Sequence, residues 1–174
     1  MELSKILVAR RANLGFIKVV GRGSFQNSGC LKAFYLQLLK EEVNRFVVDL
    51  ENCTYLDSTF LGILLGLGLK LKEMGNGSGR LHILNANPRN LELLKNLGLD
   101  RLIQINTSHS DLNGIVEKQQ LEEMACPVPT RSEAAPTILE AHENLMEFDP
   151  RNIPKFKDVV EFLREDLGHV AGSN

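Results

Sequence analysis

The segment that most constrains this chain is Ser58–Leu69, STFLGILLGLGL, twelve consecutive uncharged residues stopped by Lys70, Lys72 and Glu73. A helix that is apolar on every side has no face to give to water, so other elements must surround it. It is also well short of the roughly 20 residues needed to span a bilayer. It reads as a buried helix, and no membrane insertion is expected.

The flanking sequence supplies what could bury it. Lys5–Arg10 and Gly15–Val20 are short runs of Ile, Val and Leu separated by the turn residues Asn13 and Gly15. Between Phe25 and Val43, apolar residues recur at Leu31, Phe34, Tyr35, Leu38 and Leu39, a stripe of helical period. Arg45–Leu50 (RFVVDL) is a continuous β-branched run of the kind found in a covered or central strand. A turn over Glu51–Leu56 leads into the apolar helix. After the glycine-rich GNGSG come a strand at Arg80–Leu84, a helix at Arg89–Asn96 closed by Gly98, and a strand at Arg101–Ile105. Strands alternating with helices predict an α/β domain with a largely parallel sheet of about five strands, mixed because the first two form a hairpin.

Beyond residue 110 the pattern changes. Asp111–Met124 is polar and could be helical, and Ala125–Pro136 carries three prolines and reads as a linker. Two narrow apolar stripes follow. Ile138, Leu139, His142, Leu145 and Met146 mark one helix, and Phe156, Val159, Val160, Leu163 and Leu167 mark the other. Such helices need a surface, so this hairpin must pack on its own domain or on a second copy of the chain. The expected organisation is a domain over 1–110, a polar helix and linker over 111–136, and a helical hairpin over 137–170.

Composition narrows the function. A net charge of −2 gives no general electrostatic reason for nucleic-acid binding. Three cysteines without CxxC spacing argue against a disulfide framework or a zinc site and suit a reducing cytosol. The N-terminus MELSKILVARR does not read as a signal peptide. The four histidines are scattered, and His82 and His142 read as structural. GNGSG follows a helix and precedes a strand, the reverse of a phosphate-binding loop. No metal or cofactor is expected. One segment does have the strand–turn–helix order: Asp57-Ser58-Thr59 opens the apolar helix, and Asp57 or Ser58 is expected to be its N-cap.

That segment, VVDLENCTYLDSTFLGILLGL, resembles the signature of STAS domains, closest to bacterial anti-sigma factor antagonists. Asp49-Leu50 matches the strand end, Asp57-Ser58-Thr59 the start of the signature, and Leu61-Gly62 its end. The strand Leu81–Leu84, the helix Asn87–Asn96 and LGLDRLIQI continue the same order over about residues 1–110. The resemblance implies a cytoplasmic binding protein rather than an enzyme. Ser58 would be the phosphoacceptor of a serine kinase that is also the anti-sigma factor, with Thr59 the second choice and a phosphatase reversing the modification. Asp57, Thr59, Phe60, Leu61, Gly62, Arg22 and Ser24 would form the partner-binding loop. Phe60 stands where the antagonists have glycine, and Gly21–Phe25 lacks their usual acidic residue. The rival expectations are a constitutive STAS scaffold of a signalling or lipid-transport complex and a sensor of a small ligand or nucleotide.

Overall fold

Hydrophobic alternation places the strands in one mixed sheet. The computed structural model describes residues 3–74, 77, 79–105 and 120–172, with backbone only from 169. The strands are β1 (Lys5–Arg11), β2 (Leu14–Gly23), β3 (Arg45–Asp49), β4 (Cys53–Leu56), β5 (Arg80–Leu84), β6 (Gln104–Ile105) and β7 (Glu122–Glu123). Their order is β6-β5-β3-β2-β1-β7, with β4 paired to the far end of β2. β1 is antiparallel to β2 and β7, and every other pairing is parallel. On one face Ile6, Ile17, Val19, Phe46, Val48 and Ile83 join the main core. On the other, Leu14, Phe16, Val47 and Leu84 pack with Ala9 and Leu121.

The helices are α1 (Phe25–Lys40), α2 (Ser58–Glu73), α3 (Pro88–Asn96), α4 (Arg131–Phe148) and α5 (Ile153–Gly172). Each of the first four has a side-chain cap, from Ser24, Asp57, Asn87 and Thr130 in turn. α2 is the apolar segment, and its residues Thr59 to Gly68 and Leu71 are buried. It packs against α1 and β5, and its most extensive helix contact is with α4. All-round apolarity thus has a specific cause: the domain buries one side of α2 and the C-terminal extension buries another. The two helices are in close contact at Gly62, where a Cβ would lie 2.3 Å from the carbonyl oxygen of Ala141.

Five expectations are corrected. The turn over Glu51–Leu56 becomes strand β4 from Cys53 onward. Gly21, at φ +78°, donates its amide to Asn52 O and shifts the register of β2, so its end takes a new partner. The last strand is confined to Gln104–Ile105, because Leu99–Arg101 forms a 3-10 turn after the left-handed Gly98 (φ +84°). The polar helix over 111–124 is replaced at Glu122–Glu123 by an edge strand on β1, and 111–119 lies outside the described residues. α4 begins at Arg131, inside the expected linker. The Thr130–Glu133 capping box fixes its start, and exposed Pro136 forfeits one backbone bond within it.

The fifth concerns the cysteines. Cys30 on α1 and Cys126 on the strap before α4 form a disulfide, with Cα atoms 5.7 Å apart and 96 residues between them in sequence. Their spacing along the chain carries no trace of it, since the strap's path over α1 brings them together. Cys53 is buried and takes no part in this bond; its thiol donates to the Tyr55 carbonyl at 3.4 Å.

Candidate functional site

Asp57 organises the start of α2. One carboxylate oxygen accepts from the Phe60 amide at 2.8 Å, and the other accepts from the Phe25 amide at 2.9 Å. The N-termini of α1 and α2 are therefore tied together by one side chain. Ser58 is the first residue of α2, half-buried, with its hydroxyl pointing away from that cap.

The hydroxyl of Ser58 lies 2.9 Å from Nε2 of His142, on the second turn from the C-terminal end of α4. His142 Nδ1 lies 2.7 Å from the Ile138 carbonyl, which can only accept, so Nδ1 carries the proton. Nε2 then presents a lone pair, and Ser58 donates to it. Burial lowers the affinity of His142 for a second proton, against smaller opposing effects of the Ile138 carbonyl and the Asp57 charge. The ring also packs on Phe156 of α5, centroids 4.9 Å apart. The sequence reading of His142 as a residue on a packed helical face holds, but its hydroxyl partner was not legible: the two positions are 84 residues apart.

The other expected site residues divide into three groups. Thr59, Leu61 and Gly62 are buried, Gly62 beneath Ala141. Phe60 is fully buried against Gly23, where a Cβ would lie 2.9 Å from its ring, so its expected place on a docking face is corrected. The side chain turns inward because glycine in β2 leaves the room. Ser24 and Arg22 make no hydrogen bond to Ser58: Ser24 Oγ caps α1 through the Gln26 amide. The Arg22 guanidinium instead lies 5.4 Å from the centroid of Tyr55, and Arg89 lies 5.2 Å from it. A cleft of about 480 Å³ opens beside Ser58, lined in part by Tyr55, Asp57, Arg89, Leu93 and Phe156. Among the described residues no cluster of His, Cys, Asp and Glu could hold a metal, and no helix is long and apolar enough to cross a membrane.

This mixed sheet, with a serine opening a central apolar helix, has the SpoIIAA-like α/β architecture. A family model described as "Mlab, STAS domain" matches residues 6–104. The chain belongs to the STAS domain family.

Three solved structures share the fold. The unphosphorylated anti-sigma factor antagonist SpoIIAA is 16% identical, with a TM-score of 0.54 over 66% of this chain and 99% of that one. An anti-sigma factor antagonist of Mycobacterium paratuberculosis is 18% identical, with a TM-score of 0.53 over 67% and 96%. The phosphorylated form of the Bacillus cell fate determinant SpoIIAA is 16% identical, with a TM-score of 0.51 over 63% and 98%. No protein of curated function matches the sequence. α4, α5 and His142 lie beyond the stretch matched by the family model.

Proposed function

We propose that the chain is a cytoplasmic, phosphorylation-switched anti-sigma factor antagonist. It binds an anti-sigma factor that is also a serine kinase when Ser58 is unmodified, and lets go when Ser58 is phosphorylated. A phosphatase restores the binding form, and the effect on transcription is indirect. The observation that carries the reading is the placement of Ser58 as the first residue of α2, next to the Asp57 cap. A phosphate there faces the positive end of the helix dipole, so the domain need not unfold to accept it. Its charge, near −2, would fall on binding: roughly 3 kcal/mol of desolvation and repulsion weakens affinity about 150-fold. Incubation of the reduced chain with the partner kinase and ATP, followed by mass spectrometry, tests this. Phosphate on Ser58 supports the switch, and its absence from both Ser58 and Thr59 refutes it.

A constitutive scaffold of a signalling or lipid-transport complex is the second reading. The Ser58–His142 hydrogen bond favours it, because the hydroxyl is already engaged within the chain. A scaffold would bind its partner equally through Ser58→Ala and Ser58→Asp, whereas the switch predicts loss only for Asp.

A further inference from the structure

The extension occupies the face that a partner would need. Gly62 and Gly66 are one turn apart on α2 and leave a shallow trough in its surface. Ala141 of α4 lies in that trough, and Asn144 Nδ2 donates to the Gly62 carbonyl at 3.3 Å. His142, between them in sequence, takes the Ser58 hydroxyl. Lys32 of α1 pairs with Glu140, so the same turn of α4 is held from two sides. Among the described residues, the polar contacts of this turn with the domain go to α1 and α2.

The Cys30–Cys126 disulfide is a second connection between the extension and the domain. Cys30 belongs to α1 of the STAS domain, and Cys126 lies just ahead of the Thr130 cap that starts α4. The bond joins the extension to the domain by a short tether. Both cysteines are half-buried rather than enclosed. The bond adds to the pairing of β7 with β1, three residues ahead of Cys126, in holding α4 at high effective concentration over its trough, and cutting it lowers that concentration.

We propose that α4 is an in-chain occupant of the partner-docking face of α2, and that the Cys30–Cys126 disulfide is its latch. Reduction by a dithiol lets a partner helix displace α4 and uncover Ser58. In that step the disulfide gains two electrons and two protons to become two thiols, while the dithiol closes to its own disulfide. The trough also states what kind of partner fits. It is a helix with a small residue where Ala141 lies, since even a methyl group added on the Gly62 side would meet the opposing backbone at 2.3 Å. The proposal rests on reading the Ser58 face as the docking face.

Hydrogen exchange on the full chain, with and without dithiothreitol, tests the latch. The expected result is that amides of 131–148 exchange at least tenfold faster after reduction, and in Cys30→Ser without reductant, while β3 and β5 amides are unchanged. Gly62→Ala should release α4 even in the oxidised chain. Equal α4 exchange in oxidised, reduced and Cys30→Ser chains overturns the latch, and so does acceleration of β3 and β5 together with α4 in those chains. Unchanged α4 protection in Gly62→Ala overturns the trough. If Gly62→Ala loosens the whole domain, the Cys30→Ser result decides. A reduced chain with fast α4 exchange that a partner kinase still leaves unphosphorylated at Ser58 refutes the phosphoacceptor reading instead, and the latch stands.

Discussion

Replacing His142 by alanine removes four things at once: the hydrogen bond from Ser58, the ring's own bond to the Ile138 carbonyl, the ring contact with Phe156, and the volume of a buried side chain. The two hydrogen bonds contribute about 1 kcal/mol each and the lost packing about 2 kcal/mol, so His142→Ala should cost about 4 kcal/mol at pH 7.5. The loss should depend on pH. Burial holds the folded imidazole below its ordinary value of 6.5, with the Ile138 carbonyl and the Asp57 charge acting the other way. The unfolded chain therefore binds a proton near pH 6.5 that the folded chain refuses. His142 thus contributes fully above that pH and progressively less as the pH falls below it, by at most about 1.4 kcal/mol per unit. Urea unfolding of wild type, His142→Ala and His142→Gln at pH 7.5 and 5.5 measures this. The gap between wild type and His142→Ala should narrow at the lower pH. Glutamine, which can still accept from Ser58 but does not titrate, should lose less than alanine at pH 7.5. A gap that stays constant or widens on acidification would mean that the folded imidazole gains the proton, and would refute the neutral, lone-pair geometry at Ser58.

Three further outcomes follow from buried polar groups. Asn152 is fully buried and donates to Leu97 O at 3.0 Å and Leu145 O at 2.9 Å, so it joins the extension to the end of α3; Asn152→Ala should cost about 2 kcal/mol in urea unfolding. Tyr35 is fully buried, its hydroxyl has no hydrogen-bond partner among the described residues, and burial pushes its ionisation well above the ordinary value. Tyr35→Phe should therefore leave calorimetric stability unchanged or raise it by up to about 1 kcal/mol. Hydrogen bonds from Arg151, assisted by its charge and that of Arg101, hold the Asp149 carboxyl at about 2. Its contribution is present above the ordinary carboxylate value of 3.8 and is lost as pH falls toward 2. Acid titration of Asp149→Asn should show a smaller loss of melting temperature across that window than wild type.

The central α/β order was legible because its signals are local. RFVVDL is continuous and β-branched, the α1 stripe has helical period, and Asp57-Ser58 before an apolar run marks an N-cap, which falls on Asp57 in the structure. Ser58 was placed at the start of that helix the same way, whereas the role expected of it came from the resemblance to STAS domains. What escaped depends on chain crossings. β4 exists because Gly21 bends β2 past the end of β3, and four residues of Cys-Thr-Tyr-Leu say nothing of that bend. Glu122 and Glu123 are acidic and exposed, poor strand formers that pair only because β1 offers an edge. Pro136 pointed to a linker, and the Thr130–Glu133 box outweighed it. The disulfide and the Ser58–His142 bond join positions far apart in sequence, and no periodicity connects them. Phe60 was placed outside because a bulky residue at a signature position suggests contact with a partner; the vacancy that draws it inward is at Gly23, on another element.

The central claim is that the charge on Ser58 decides partner binding. Its most direct measurement is the affinity of the reduced full chain for its anti-sigma factor kinase by calorimetry, comparing unmodified protein, Ser58→Ala and the Ser58-phosphorylated form. The account predicts that alanine binds within a few-fold of wild type and that the phosphorylated chain binds about 150-fold more weakly. Equal affinity of all three forms would contradict it and leave the constitutive scaffold.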